Sequence, residues 1–469
     1  MDIITLSFIL YSLQCVYSFD LYDTGFNYLT KQFLQDVSKF GVIISAEARS
    51  IQQPIDHFGE NSQTWQMRYF ESLDYFQKNG PIYIFIGGEG EANPLFLSGG
   101  EINQLAQETN GAMYMTEHRY YGKSKPFDDI NTENLKWLSS KQALADVANL
   151  IKSIKSDSRF QNSKVVVIGG SYAGSLAAWM KLKYPELVDA AIASSGPVLA
   201  KKDFSDYLQK VNDDYERYGT PGCLTNIKAK FQKFQEMLQT SEGIQQLKQE
   251  QNICEEVDMS DRKNQFVFFM INISPFMLQS QYGGPDKIRD HCSNLQMEKL
   301  SKKLPWNIKN CNDVSFQGFI NFMKRSDNYH SWFYQQCTEF GYFQTTSSRS
   351  QPFGDAVSKD MYIEICKNLF GPEFDEDKVD NAVQTTNSAY GGQRPDVKQV
   401  VFVNGDVDPW STLSVLQDLS DEAPAIVVPK GTHCADIVIR PDSSEELKGA
   451  VERIKQYIKK WIGVGNIPV

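Results

Sequence analysis

A glycine-rich turn lies between an apolar run and a helical pattern, and these three segments together indicate one local structure. Residues 164–168 (KVVVI) form a short β-branched run, which is typical of a buried strand. The turn 169–174 (GGSYAG) follows at once, and apolar residues then recur at helical spacing until Pro185, which ends the helix. Small residues allow a sharp turn that pushes the side chain at its tip outward. We therefore expect a strand, a strained turn that exposes Ser171, and a helix.

Strand and helix patterns alternate on both sides of this turn. The helix before it begins with a capping box formed by Ser139 and Gln142, and the last helix begins with a second one formed by Ser443 and Glu446. The predicted strands lie at 63–72, 81–86, 112–115, 164–168, 188–194, 399–403 and 425–428. This alternation predicts the α/β class, with a mostly parallel sheet and helices on both of its faces.

The middle of the chain has a different composition. Residues 203–388 are rich in Lys, Gln and Asp and mostly helical in period. We predict that they form an inserted helical cap on a core made of residues 40–202 and 389–469. The cap contains six of the eight cysteines, which allow fifteen pairings: Cys223, Cys254, Cys292, Cys311, Cys337 and Cys366. Cys434 lies outside this set, and we expect it to be a free, packed thiol.

The N-terminus resembles a secretory signal. Residues 3–16 are apolar but too short to span a bilayer, and Ser18 supplies a small residue for cleavage. We predict a signal peptide at 1–18, with a buried N-terminal strand or helix as the alternative. No other run is long enough for a membrane span. Asn272 begins an N-x-S sequon and is a candidate glycosylation site, although Pro275 follows closely.

Charge and cysteine spacing exclude several classes of ligand. The formal net charge of -11 argues against binding to nucleic acid or to an anionic membrane. The sequence contains no CxxC pair, so a zinc site is not expected. No other motif implies a metal or an organic cofactor.

An exposed serine at such a turn becomes a nucleophile when a histidine base and an acid accompany it. In folds of this type the chain order is serine, acid, histidine. Asp408 and His433 each lie five residues beyond a predicted strand, at the edge where parallel sheets place their active sites. His433 is the only histidine after Asp408. Asp406 is the alternative acid, and we favour Asp408.

The other histidines have less suitable positions. His57 and His118 precede the serine, and we expect them to make structural hydrogen bonds. His291 and His330 fall within the predicted cap.

Ser171, Asp408 and His433 together predict acyl-transfer chemistry. Ser171 would attack a carbonyl, His433 would accept and return the proton, and Asp408 would orient the imidazole. The tetrahedral oxyanion needs two preorganised donors. We expect the backbone N–H of Tyr172 to be one, and Gly88, in the glycine-rich loop 87–90 after an earlier strand, to supply the other.

Six motifs in this order resemble one family. They are QPIDHF at 53–58, GGEG at 87–90, EHRYYGKS at 117–124, GGSYAG at 169–174, NGDVDPW at 404–410 and GTHC at 431–434. The chain resembles the lysosomal Pro-X carboxypeptidase and dipeptidyl peptidase II family of serine peptidases over about residues 48 to 462. The stretches 138–140, 171–179 and 337–341 (CTEFG) look most like the thymus-specific serine protease branch.

The resemblance implies an α/β-hydrolase core with a helical insertion that covers the site. It implies a serine exopeptidase of lysosomes, related vesicles or the cell exterior, which acts on short peptides, and in some members after proline. Carried over by motif, the catalytic residues are Ser171, Asp408 and His433. Trp410 would form a wall of the pocket for a proline ring, and Glu89 would make a polar substrate contact, for instance with an ammonium group. The family often dimerises, so a homodimer is a further expectation.

Several alternatives stay open at this point. The enzyme could release a C-terminal residue, as a carboxypeptidase does, or an N-terminal dipeptide. A secreted esterase or lipase is compatible with the same fold and triad, as is a catalytically inactive binding protein.

Overall fold

A computed structural model describes residues 46–295, 310–440 and 442–464 of the 469-residue chain. The predicted signal peptide at 1–18 lies outside the described residues. The strands are β1 (Glu47–Pro54), β2 (Thr64–Ser72), β3 (Ile82–Phe85), β4 (Ala112–Thr116), β5 (Val165–Gly170), β6 (Ala190–Ser194), β7 (Lys201–Asp203), β8 (Gly341–Phe343), β9 (Val400–Gly405) and β10 (Ala425–Val428).

Eight of these strands form one sheet in the order β1-β2-β4-β3-β5-β6-β9-β10. All neighbours from β4 to β10 are parallel, whereas β2 runs antiparallel to both β1 and β4. The predicted α/β class with a mostly parallel sheet is therefore confirmed. Since β5, β9 and β10 are parallel, their carboxyl ends lie at the same edge of the sheet.

The helices are α1 (Gly100–Thr109), α2 (Thr132–Leu135), α3 (Ser140–Lys155), α4 (Tyr172–Lys183), α5 (Asp206–Tyr218), α6 (Cys223–Met237), α7 (Ser241–Glu250), α8 (Arg262–Leu278), α9 (Gly284–Asn294), α10 (Phe316–Arg325), α11 (Asp327–Gln335), α12 (Lys359–Phe370), α13 (Glu376–Tyr390) and α14 (Glu445–Ile462). Two of them, α8 and α11, continue into single π-helical turns, Gln279–Gly283 and Gln336–Phe340 respectively.

Both faces of the sheet are buried. On β5, Val167 packs with residues of α3 and α4 in one core cluster, whereas Val166 and Ile168 pack with residues of α1 and α14 in a second cluster. Successive strand residues point to opposite faces. This is why the strand is a continuous apolar run rather than an alternating one.

The two predicted capping boxes differ in their outcome. Ser139 is the N-cap of α3, as predicted, and accepts a hydrogen bond from the Gln142 N–H. The other half of the predicted box is not formed, because the Gln142 side chain bonds to Asp56 and His57 instead. The start predicted for the last helix is wrong by one residue, because Ser444 is the N-cap of α14 and accepts from Leu447. The Ser443 hydroxyl accepts instead from the Arg440 N–H at 3.0 Å.

Nine helices, α5 to α13, lie between β6 and β9 in the described part of the chain, and we call residues 203–388 the cap. The boundaries of the cap stay a prediction. Three disulfides join its elements: Cys223–Cys292, Cys254–Cys311 and Cys337–Cys366. They select one of the fifteen pairings, and each closes a loop long enough to add about 3 to 4 kcal/mol. Cys434 is a free, buried thiol, as predicted.

The structure corrects the glycosylation site predicted at Asn272. This residue is only 6% exposed, and its side-chain amide donates to the Phe268 carbonyl at 2.9 Å within α8. The helix continues through Pro275. A glycan therefore has no access to this nitrogen in the folded protein. None of the helices in the described ranges is long and apolar enough to cross a membrane.

Candidate active site

Ser171 lies at the junction between β5 and α4 in a strained backbone conformation. Its φ is 59° and its ψ is -131°, a region that residues with a Cβ seldom adopt. Its N–H donates to the Ser194 carbonyl at 2.9 Å, and its own carbonyl accepts from the Gly174 N–H at 2.8 Å. The turn is thus held by β6 on one side and by the first turn of α4 on the other.

The turn has no room for a side chain at two positions close to the serine. A Cβ placed on Gly169 would lie 2.0 Å from the Ala173 carbonyl oxygen, and one on Gly174 would lie 2.4 Å from that of Ser194. Strand, helix and turn therefore approach each other to backbone contact. This explains the glycines at positions 169 and 174.

Asp408 and His433 form a pair that is completely buried. The Asp408 Oδ2 lies 2.7 Å from the His433 Nδ1, and both side chains are 0% exposed. The second carboxylate oxygen accepts from the Trp410 N–H at 2.9 Å, so Asp408 also caps the short 3₁₀ turn Pro409–Leu413. Because a carboxylate only accepts, Nδ1 carries the hydrogen and Nε2 is the basic nitrogen.

The Nε2 atom of His433 is buried and has no hydrogen-bond partner among the described residues. Burial by itself lowers the pKa of His433, but the Asp408 carboxylate outweighs this effect and raises the pKa well above its ordinary value. The Asp408 carboxylate therefore stabilises the imidazolium that forms when His433 accepts a proton.

The geometry separates the two candidate acids. Asp406 accepts from the Lys430 N–H at 2.5 Å and pairs with the Arg217 guanidinium at 3.2 Å. It therefore belongs to a different set of contacts, whereas Asp408 reaches His433.

The other four histidines have contacts away from the Asp408–His433 pair. The contacts are His57 with Asp146 at 2.7 Å, His118 with Tyr172 Oη at 3.1 Å, His291 with Tyr215 Oη at 2.5 Å, and His330 with the Phe370 ring at 4.8 Å between centroids.

The loop that carries Gly88 and Glu89 is anchored at both ends. The Gly87 N–H donates to Thr116 Oγ1 at 3.0 Å, and the Ala92 N–H donates to the buried Glu117 carboxylate at 3.0 Å. A Cβ on Gly88 would lie in contact with Ala173, so this glycine borders the first turn of α4.

Glu117, the first residue of the EHRYYGKS motif, has a structural role that no local feature of the sequence indicates. Its carboxylate also accepts from Ser124 Oγ at 2.8 Å and from Arg68 Nε at 3.0 Å. The motif thus fixes the loop beside the serine.

Glu89 is a buried carboxyl group that belongs to no ion pair within the described ranges. It is 5% exposed. Burial raises its pKa to about 7, and His433 is the charged group that opposes this effect. The Tyr121 and Tyr282 rings are close enough for Glu89 to raise the pKa of each phenol. A carboxyl group placed in this way costs stability.

Replacing Glu89 with glutamine should raise the free energy of unfolding at pH 8 by up to about 3 kcal/mol, with little effect at pH 4. The pKa of Glu89 rises from 4.5 to about 7 on folding. At a pH between these two values the carboxyl group is therefore ionised in the unfolded chain but still protonated in the folded protein. Stability is therefore lost as the pH rises through this window, and glutamine removes that loss.

Thermal unfolding of both proteins at pH 4 and pH 8 measures this difference. The control is Glu91→Gln, because Glu91 lies in the same loop but its side chain is 51% exposed. An equal effect of Glu89→Gln at both pH values would contradict the prediction.

An aromatic wall lies beside the imidazole. The Trp410 ring is 6.5 Å from the His433 ring and contacts Phe204, Tyr207 and Tyr342 at 5.3 to 5.7 Å. Three of these four rings come from the cap, which sequence reasoning did not connect with Trp410. Rings in this arrangement can enclose a flat, apolar group.

The cap also contacts His433 directly. The backbone N–H of His433 donates to the Gln281 carbonyl at 2.8 Å. The Tyr282 ring packs edge-on against the imidazole, with 5.7 Å between the ring centroids. Both residues lie in the π-helical turn after α8. The described residues include no group of histidine, cysteine and acidic side chains able to hold a metal ion.

Fold and comparisons together define a serine-type hydrolase. The chain belongs to the serine carboxypeptidase S28 family, whose model matches residues 53–454. It is 32% identical to the thymus-specific serine protease of Mus musculus over 443 residues, covering 88% of this chain and 87% of the relative. It is 30% identical to the lysosomal Pro-X carboxypeptidase of Homo sapiens over 418 residues, covering 82% of each. The protein is therefore a serine-type peptidase, and the predicted family is confirmed.

Proposed function

We propose that Ser171 is the nucleophile of this peptidase, His433 its general base and Asp408 the acid that orients the base. The observation that carries the proposal is the buried 2.7 Å contact between Asp408 and His433. The loop that bears His433 packs on the serine turn, since a Cβ on Gly170 would lie 3.1 Å from Cys434 Sγ. His433 is therefore close to the serine turn, because its neighbour Cys434 packs against Gly170, the residue that precedes Ser171.

In the proposed reaction, His433 Nε2 takes the proton of Ser171 as the hydroxyl oxygen attacks the scissile carbonyl carbon. The imidazolium formed is stabilised by Asp408 and then protonates the leaving amine. A water molecule, deprotonated by the same nitrogen, hydrolyses the acyl-enzyme and restores Ser171. The raised pKa of His433 supports its protonation during the first step.

The oxyanion would be bound by the backbone N–H groups of Tyr172 and Gly88. Tyr172 is the first residue of α4, where N–H groups have no partner inside the helix and negative charge is favoured. Gly88 borders this turn, and its loop is anchored through Thr116 and Glu117. Anchored donors of this kind need little reorganisation when charge develops.

The proposed substrates are short peptides that are cleaved near one end, with proline before the scissile bond. Trp410 and the cap rings Phe204, Tyr207 and Tyr342 would enclose the proline ring. Glu89 would contact a polar end of the peptide. The three disulfides support a route through the secretory pathway to a lysosome-like or extracellular location.

A peptide panel analysed by mass spectrometry tests this function. The peptides carry proline, alanine or lysine second from either end, with free or blocked termini, at pH 5 and pH 7. Peptides with proline should lose one C-terminal residue or an N-terminal dipeptide, and a fluorophosphonate should stop this cleavage and label Ser171.

Internal cleavage alone would contradict the exopeptidase assignment. Labelling of a different serine, or cleavage that survives labelling of Ser171, would contradict the proposed nucleophile.

A further inference from the structure

We propose that Gln335 and Glu339 of the cap are positioning residues that hold Tyr172, and with it the oxyanion hole, in its reactive geometry. This inference rests on the proposed function, because it assigns the Tyr172 N–H to the oxyanion. Gln335 is the last residue of α11 and Glu339 lies in the π-helical turn that follows. Gln335 is fully buried.

The donor and the acceptor of each hydrogen bond around the Tyr172 hydroxyl can be assigned. The Nδ1 of His118 lies 2.7 Å from the Arg119 carbonyl, which can only accept, so Nδ1 carries the hydrogen. Burial lowers the pKa of His118 to about 4, and the neutral ring therefore presents Nε2 as an acceptor. The Tyr172 hydroxyl, 3.1 Å away, donates to it.

Since its hydrogen is used, the Tyr172 oxygen is left to accept, and the Gln335 Nε2 donates to it at 2.9 Å. The same amide nitrogen donates to Glu339 Oε2 at 2.9 Å. The Gln335 carbonyl oxygen accepts from the Tyr121 hydroxyl at 2.6 Å. Both ends of the side chain are thus satisfied in one orientation only.

Glu339 connects this chain of hydrogen bonds to the core. Its carboxylate accepts from the Ser140 N–H at 2.8 Å and from the Ser140 hydroxyl at 2.6 Å. Ser140 is the first residue of α3, so a cap carboxylate binds a helix N-terminus of the core. Glu339 is itself held, because its carbonyl accepts from Thr386 Oγ1 at 2.7 Å.

The hydrogen bond from Gln335 to the Tyr172 hydroxyl matters for catalysis because the phenol and the backbone N–H of Tyr172 are attached to the same Cα atom. The ring also packs against Trp332 and Phe340 of the cap, at 5.7 and 5.3 Å between centroids. A misplacement of about 1 Å in an active site can lower the rate about 100-fold. A small rotation of this residue would therefore move the proposed oxyanion donor.

Both π-helical turns of the cap contact the proposed machinery. The first, Gln279–Gly283, accepts the His433 N–H through Gln281. The second, Gln336–Phe340, contacts Tyr172 through the Phe340 ring. Such turns often occur at functional sites, and here they connect the cap to the base on one side and to the serine turn on the other.

The test compares Gln335→Met with Gln53→Met. Gln53 is also a fully buried glutamine, but its amide donates to the Asp146 carbonyl at 2.9 Å rather than to Tyr172. Turnover of a proline peptide is measured per active site, after titration with a fluorophosphonate. We expect Gln335→Met to lower kcat about 10-fold or more with KM within about 3-fold, and Gln53→Met to leave both nearly unchanged.

A double-variant comparison tests whether Gln335 acts through Tyr172. Tyr172→Phe keeps the backbone N–H but removes the hydroxyl, so it should lower kcat by a similar factor. The double variant should then be no slower than the slower single variant. Multiplied effects would show that Gln335 acts elsewhere and would overturn the proposal.

The proposal also fails if Gln335→Met changes only thermal stability or the fraction of titratable sites, with normal kcat per site. The peptidase assignment would survive that result, because turnover by titrated Ser171 is its own measurement. Absence of any peptide cleavage by the wild-type protein would instead contradict the proposed function.

Discussion

Replacement of Ser171 by alanine should lower kcat for a peptide substrate by about a million-fold. The residual rate would come from binding and from the oxyanion donors, which the substitution leaves in place. The fold should be unchanged, because alanine keeps the same backbone strain at φ 59°. Circular dichroism and thermal unfolding check the fold, and a discontinuous peptide assay over days measures the residual turnover.

Ser175→Ala is the matched control. Ser175 lies one turn further along α4, and its hydroxyl is buried with no hydrogen-bond partner in the described part of the chain. Its removal should leave kcat unchanged and should not lower stability. Full activity of Ser171→Ala would exclude this residue as the nucleophile, and a large loss in Ser175→Ala would point to a disturbed helix instead.

Replacement of Asp408 by asparagine should lower kcat by about 10⁴. Asp408 Oδ2 accepts the Nδ1 hydrogen of His433 at 2.7 Å. The other carboxylate oxygen is occupied by the Trp410 N–H, so asparagine would turn its NH₂ group toward the imidazole. The imidazole would then carry its hydrogen on Nε2 and could not accept the serine proton.

Asp406→Asn is the control for this prediction, because Asp406 lies two residues away and contacts Arg217 and Lys430. Its exposed ion pair with Arg217 is worth at most about 1 kcal/mol, and kcat should change less than about 3-fold. A loss in Asp406→Asn that equals the loss in Asp408→Asn would contradict the assignment of the acid.

The core of the fold could be predicted from the sequence because its signals are local. The run at 164–168 and the glycine-rich turn after it specify a strand, a sharp turn and a helix through short-range sterics alone. The same holds for Ser139, whose side chain reaches a backbone N–H three residues away. At Ser443 the local rule was ambiguous, since two adjacent serines compete for one capping position.

The candidate acid and base followed from strand order, which is a coarser signal. Parallel strands bring their carboxyl ends to one edge, so the sequence alone predicts that Asp408 and His433 lie near Ser171. The side-chain contacts in the structure support Asp408 over Asp406 as the acid. The 3₁₀ turn after Asp408 points it at His433, whereas Asp406 points toward Lys430 and Arg217.

The cap contacts depended on tertiary structure alone. The disulfide pairing and the hydrogen bond between Gln335 and Tyr172 join residues far apart in the chain, and the second pair is separated by 163 positions. The burial of Asn272 likewise depends on the elements that pack around α8. The periodicity of helices and strands carries no information about contacts between residues far apart in the chain, because such contacts form only when separate elements pack together. Local sequence signals thus specify the strand-turn-helix unit and the candidate reactive groups. The contacts that Gln281 and Gln335 of the cap make with His433 and Tyr172 appear only when the chain is folded.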